Sequence, residues 1–209
     1  AGKHVLCEKP LVISLDEFDA VEAAARDFKV VVFEAFANLH HPSIRQALEM
    51  VESGVLGALQ FINGRGYITL PPDDLNNIRL KPELGGGSLW DVGVYPVSLA
   101  IMFAGVGAPV EVWGSQMTGD TGVDIAFAGQ MRFANDVTAQ ISSGICSPLH
   151  RGLVIIGEDG VLELGRPIIA LDETDKKMKI EHTTSSGEKK TIVIPVTKQY
   201  QMEVDALAA

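Results

Sequence analysis

Val5-Leu6-Cys7-Glu8-Lys9-Pro10 sets a short apolar run against a charged tripeptide, the pattern of a buried strand with chemistry at its carboxyl end. Next, Ser14-Leu15-Asp16-Glu17 is a capping box with Glu17 at the third helical position, which predicts a helix to about Phe28. Val30-Val31-Val32-Phe33 then reads as a second buried strand. Strand, helix and strand this closely spaced make a βαβ unit of a parallel, doubly wound sheet, and the chain holds only a fragment of one.

Beyond Pro42 the pattern changes. A helix from about Ser43 to Glu52 stops at Ser53-Gly54, and Leu59 to Leu70 alternates like a strand. A loop rich in Pro, Asp and Asn covers Pro71 to Asn77, and Gly85-Gly86-Gly87 leads into a helix to about Phe103. Strands are expected at Val110–Met117, Asp124–Phe133, Val137–Ile145, Leu153–Gly157, Val161–Leu164, Ile168–Leu171, Lys179–His182 and Thr191–Val196. Turns at Ala134-Asn135-Asp136 and Glu158-Asp159-Gly160 make that an antiparallel sheet, and a last helix begins near Thr197.

Composition narrows the function. With 209 residues, 46% hydrophobic and 21% charged, the chain is an ordinary globular one. Seventeen basic against twenty-seven acidic residues leave a net charge of −10, which repels nucleic acid, and no basic patch offsets it. Cys7 and Cys146 are too few for a disulfide framework and have no zinc spacing, which fits a reducing cytoplasm. The uncharged stretch Val92–Val110 is as long as a membrane span, but its glycines and prolines make it a buried helix and its exit. The start at Ala1-Gly2-Lys3-His4 and the stop at Ala208-Ala209 inside a helical pattern read as cut ends.

Two motifs carry chemistry. Glu8-Lys9-Pro10 stands where open α/β sheets take ligands, and Lys9 reads either as a proton-handling group beside a cofactor or as a solvated lysine at a strand end. A cis bond before Pro10 would aim Lys9. Asp91 and Tyr95 are four apart and share a helical face, a quarter turn from the core stripe of Leu89, Val92, Pro96, Leu99 and Phe103. The triple glycine before them admits close approach by a ligand or by backbone. Equally, Ser88 reads as an N-cap with Asp91 the acid of its capping box and Tyr95 a half-buried aromatic. Pro96 should kink the helix. His40-His41 point apart and read as loop or helix-start residues rather than metal ligands, and no metal is expected. The chain has no GxGxxG and no Walker A loop.

Together these segments resemble the glucose-fructose oxidoreductase/inositol dehydrogenase/rhizopine-catabolism (Gfo/Idh/MocA) family of NAD(P)-dependent oxidoreductases, over nearly the whole chain. The resemblance rests on GKHVLCEKP at Gly2 to Pro10, on EAF at Glu34 to Phe36 with His41-Pro42, and on IRLKPELGGGSLWDVGVYPVSL at Ile78 to Leu99, with weaker support from Ile156-Gly157 through Gly160-Val161-Leu162 and from Gln199-Tyr200 near the end. Its implied fold is α/β (α+β). Residues 1–36 are then the last part of a Rossmann dinucleotide-binding domain. Residues 37–209 become a substrate-binding and oligomerisation domain with an open, mostly antiparallel sheet and flanking helices.

The resemblance also implies a catalytic group of Lys9, Asp91 and Tyr95, a cofactor contact at Glu8, Lys9 and Pro10, and substrate contacts at Arg79, Asp91 and Tyr95. NAD or NADP is the implied cofactor, most of its site lying outside this chain, so the chain alone is expected to be inactive. The implied substrate is a sugar, polyol or cyclic diol, and the implied partner a second copy through the C-terminal sheet, with no nucleic acid and no membrane. Leu39 stands where related branches carry an arginine, which leaves substrate identity open. Unperturbed values near 10 for Lys9 and Tyr95 are too high for neutral-pH catalysis, so proximity, burial and cofactor charge are expected to tune them. The alternative is a non-catalytic, dinucleotide-sensing module of the same fold, against which the trio argues.

Overall fold

The computed structural model describes residues 2–71, 74, 76–165, 177–195 and 198–208. Its first unit is a two-stranded parallel sheet, β1 (Val5–Glu8) beside β2 (Val32–Ala35), joined by helix α1 (Leu15–Phe28). Ser14 caps α1 by accepting the Glu17 N–H, while the Glu17 carboxylate reaches past the cap to the Ile13 N–H at 2.9 Å. Lys29, at φ 51°, closes the far end.

Strand β2 starts two residues later than expected, because Val30 donates to Ala25 to finish the helix and Val31 donates to the His4 ring. The expectation of buried strands is corrected more deeply. Val5 is 44% exposed and α1 buries no residue, since among the described residues nothing covers the outer edge of β1 or the outer face of α1.

The second unit is an eight-stranded sheet in the order β10-β9-β8-β7-β3-β6-β5-β4. Its strands are β3 (Leu59–Thr69), β4 (Glu111–Thr118), β5 (Asp124–Arg132), β6 (Thr138–Gly144), β7 (Cys146–Gly157), β8 (Gly160–Leu164), β9 (Lys177–Thr184) and β10 (Lys189–Pro195). All neighbours are antiparallel except β3 and β6, which pair in parallel because a long connection through helix α3 (Val94–Ala104) separates them. Strand β7 begins earlier than expected: its polar first half, which looks like loop in sequence, pairs with Tyr67 and Thr69 of β3 across a register shift. The strand expected at 168–171 lies outside the described residues.

Helices α2 (Pro42–Glu52) and α3 cover one face of this sheet, burying Ile44, Ile62, Leu99, Phe133, Leu153 and Ile155 completely or nearly so. Gly64 of β3 lets α3 settle close, since a side chain there would strike Pro96. In the uncharged stretch 92–110 the chain is buried or half-buried through the end of α3 at Ala104 and exposed from Gly105 to Ala108, the buried helix and exit that were expected. The other sheet face, along Trp113, Gln130, Gln140, Asn63 and Val154, has no covering element among the described residues. Helix α4 (Gln199–Ala208) instead packs against the 3-10 turn Ala37–His40.

Candidate active site

The helix entered from the triple glycine does not begin as an α-helix. Leu89–Gly93 form a π-helical turn, and the α-helix proper starts at Val94 with Pro96 in its first turn, where a missing N–H costs little. Ser88 is not an N-cap, which corrects that reading: it has helical backbone angles and its hydroxyl, fully buried, donates to the Asp124 carboxylate at 2.6 Å. Asp124, reaching in from β5, also accepts the Leu89 N–H at 2.9 Å and so supplies the cap from another element. Ser143 of β6 donates onward to the Ser88 hydroxyl. Gly87, at φ 112°, has no room for a side chain because the Asp124 carboxylate sits against it. The glycines therefore accommodate the protein's own chain.

This frame holds Asp91. Its carboxylate is 12% exposed and accepts from Lys9 Nζ at 3.0 Å through one oxygen and from Arg79 Nε through the other. Lys9 also donates to the Asp91 backbone carbonyl at 2.6 Å, so two of its three N–H groups are committed to one residue. The same ammonium lies 5.2 Å from the centroid of the Tyr95 ring. Tyr95 is 8% exposed and meets the Phe36 ring edge-on at 6.0 Å. Lys9 precedes the cis Lys9–Pro10 peptide, and the chain beyond is tied down by the Leu11 N–H on Glu34 at 2.7 Å. Lys9, Asp91, Tyr95 and Arg79, distant in sequence, thus meet at the carboxyl end of β1.

Electrostatics correct one expectation. The Tyr95 phenol is pushed well above its ordinary range, first by burial, then by Asp91, Tyr200 and Glu8, with Arg151 opposing. The site holds the tyrosine proton rather than releasing it. Arg79, expected at the mouth as a substrate contact, is half turned inward onto Asp91. Leu39 packs against the apolar core.

His41 accepts the Ser43 N–H on Nδ1 and caps α2, and His40 stacks against Phe33 at 5.6 Å. Among the described residues no group of three His, Cys, Asp or Glu side chains is placed to hold a metal. Pro10, Leu11, Phe18, Trp90, Val94 and Ile101 contribute to an apolar cavity of about 610 Å³ between the two units. Sequence reasoning missed Asp124, Ser143, Arg151 and Tyr200. Only Tyr200 left a trace, in the Gln199-Tyr200 pair near the last helix.

The family model described as the GFO/IDH/MocA C-terminal domain matches residues 44–163. The chain is 36% identical over 208 residues to a D-xylose 1-dehydrogenase (NADP(+)) of Haloferax volcanii, covering 99% of this chain and 62% of that protein. It is 30% identical to a dTDP-3,4-didehydro-2,6-dideoxy-α-D-glucose 3-reductase of Actinomadura kijaniata, covering all of this chain and 61% of the other. A crystal structure of a 3-ketoreductase from that organism, with NADP and TDP-benzene, superposes with a TM-score of 0.87 at 28% identity, over 98% of this chain and 62% of that one. The chain spans about three-fifths of the length of the relatives it matches.

Proposed function

We propose that this chain, which belongs to the GFO/IDH/MocA family of NAD(P)-dependent oxidoreductases, carries the proton-handling half of a site that exchanges hydride between NAD(P) and a hydroxyl of a sugar, polyol or cyclic diol. One observation carries the reading: Lys9, Asp91 and Tyr95 converge within a few ångström from two separate units, each side chain at most 12% exposed. A binding module has no need of such a cluster. Residues 1–36 are then the close of the dinucleotide-binding domain and 37–209 the substrate domain.

The nicotinamide end of a dinucleotide fits here, because Lys9 stands at the carboxyl end of a parallel strand pair with one N–H uncommitted. Glu8, Lys9 and Pro10 would hold it. When bound, that group supplies the acceptor for the hydride leaving the carbinol carbon with its electron pair.

The chain's own residues manage the proton. In the reductive direction Tyr95 gives its hydroxyl proton to the oxygen of the substrate carbonyl, and the protonated resting phenol suits that task. In the oxidative direction the same oxygen takes the proton back, and the Lys9 ammonium, 5.2 Å from the ring, stabilises the phenolate. Asp91 keeps the ammonium in place, and Arg79 takes up the second carboxylate oxygen so that Asp91 cannot turn away. The bare sheet face would be covered by a second copy.

Tyr95→Phe in the full-length protein, assayed with NADP and a panel of free sugars, should lower kcat by about 10²–10⁴-fold while the fold is kept. Lys9→Ala should act in the same direction. Wild-type turnover in both variants would exclude the reading.

A further inference from the structure

We infer that α4 is docked by a single proton: Glu203 holds the helix on the turn Ala37–His40 as a neutral acid, and ionisation of that side chain releases the helix. This goes beyond the oxidoreductase reading and does not depend on it.

The burial pattern of α4 is inverted. Among its described side chains the one that is buried is an acid, Glu203 at 3% exposure, while Val204 beside it is 52% exposed. A helix docked through its apolar residues would turn the valine inward. The element that α4 packs against is the 3-10 turn Ala37–His40, where Asn38 is 1% exposed. Glu203 Oε1 and both amide atoms of Asn38 have no hydrogen-bond partner. Two packed elements thus each bury a polar side chain that nothing satisfies.

A carboxylate is not kept in such a place, because burying a charge without a cation costs far more than burying the neutral acid. The charged groups around Glu203 do not offset that cost. Glu8, at the end of β1, is itself an acid, and burial followed by Glu8 raises the Glu203 pKa. His40, on the turn, is kept neutral by burial and by Arg45, and Asp205, on α4 itself, is exposed. The neutral form also has the matching chemistry. A carboxylic acid donates one O–H and accepts on its carbonyl oxygen, the complement of Asn38 Oδ1 and Nδ2, whereas a carboxylate only accepts.

The docked helix keeps a proton that the released helix gives up. Docking is therefore complete below the ordinary carboxyl value near 4.5 and weakens as pH rises toward the higher docked value. The turn follows Phe36, whose ring meets Tyr95 edge-on at 6.0 Å, so the Glu203 proton sets how firmly the site is backed.

The test is amide hydrogen exchange of the full-length protein between pH 5 and 8, expressed as protection factors so that the intrinsic pH dependence of exchange is removed. Protection of residues 200–207 should fall by up to about ten-fold per pH unit, one proton lost per opening, while that of residues 153–157 in β7 stays constant. Glu203→Gln, neutral at every pH, should abolish the fall. Constant protection of α4 in the wild type, or an equal fall in Glu203→Gln, overturns the inference. If Glu203→Gln does not fold, infrared difference spectroscopy of the wild type decides. A protonated carboxyl band that fades together with α4 protection supports the inference, and the lack of such a band at pH 6 overturns it.

Discussion

The two units that meet at Lys9 differ in how they are held together. The eight-stranded sheet buries Ile44, Leu56, Ile62, Leu99, Phe133 and Ile155 to zero exposure, whereas α1 buries nothing and leaves Leu15 81% and Phe28 65% exposed. Asp91 and Tyr95 thus stand on a rigid platform, while Lys9 belongs to a lightly packed unit. The contact between the lysine and the aspartate is a tie between a firm body and a loose one.

The largest expected effect breaks the platform alone. Leu99→Ala should lower unfolding stability by about 4 kcal/mol, and Leu15→Ala on α1 by less than about 0.5 kcal/mol, read from urea unfolding midpoints. Similar losses at both sites would erase the contrast. Next, Gly87→Ala should cost about 3 kcal/mol, because it joins an unfavourable φ to a collision with Asp124. A melting temperature equal to wild type would mean that the turn relaxes. Smaller still, Asp91→Asn should loosen the first unit by about 1.5 kcal/mol, seen as amide exchange roughly ten-fold faster in residues 5–35 than in the sheet. Uniform acceleration would show that the tie is not specific to that unit.

The smallest effect depends on pH. Burial lowers the pKa of His41, and burial with Arg45 lowers that of His40, so the folded chain keeps both rings neutral where the unfolded chain would protonate them. Stability is then complete above the unfolded value near 6.5 and declines as pH falls through it. His41→Asn, which preserves a capping oxygen for α2, should flatten part of that decline between pH 7.5 and 5.5. An unaltered slope would place its origin elsewhere.

What the sequence disclosed followed the range of each signal. Ser14 with Glu17, Gly54 after α2 and the turn at Asp136 act within a few residues, and all are found where expected. Lys9, Asp91 and Tyr95 were legible as motif residues although their meeting is tertiary. The π-helical turn was not, because its cap comes from Asp124, far along the chain, and no neighbour of Ser88 announces it. The upward direction of the Tyr95 shift is hidden for a related reason: besides burial, the groups that raise it, Asp91, Tyr200 and Glu8, come from three different elements. The exposure of α1 was hidden too, since an apolar helix face says that a partner is wanted but not whether this chain contains one.

The π-helical turn Leu89–Gly93 also says how this site tolerates insertion and deletion. A π-helical turn holds one residue more than an α-helical turn, the signature of a single-residue insertion absorbed within a helix. Removing Val92 or Gly93 from it would restore regular winding and rotate Asp91 by about 100° relative to Tyr95. The helix would survive such an edit, while Lys9 would lose the carboxylate that holds it.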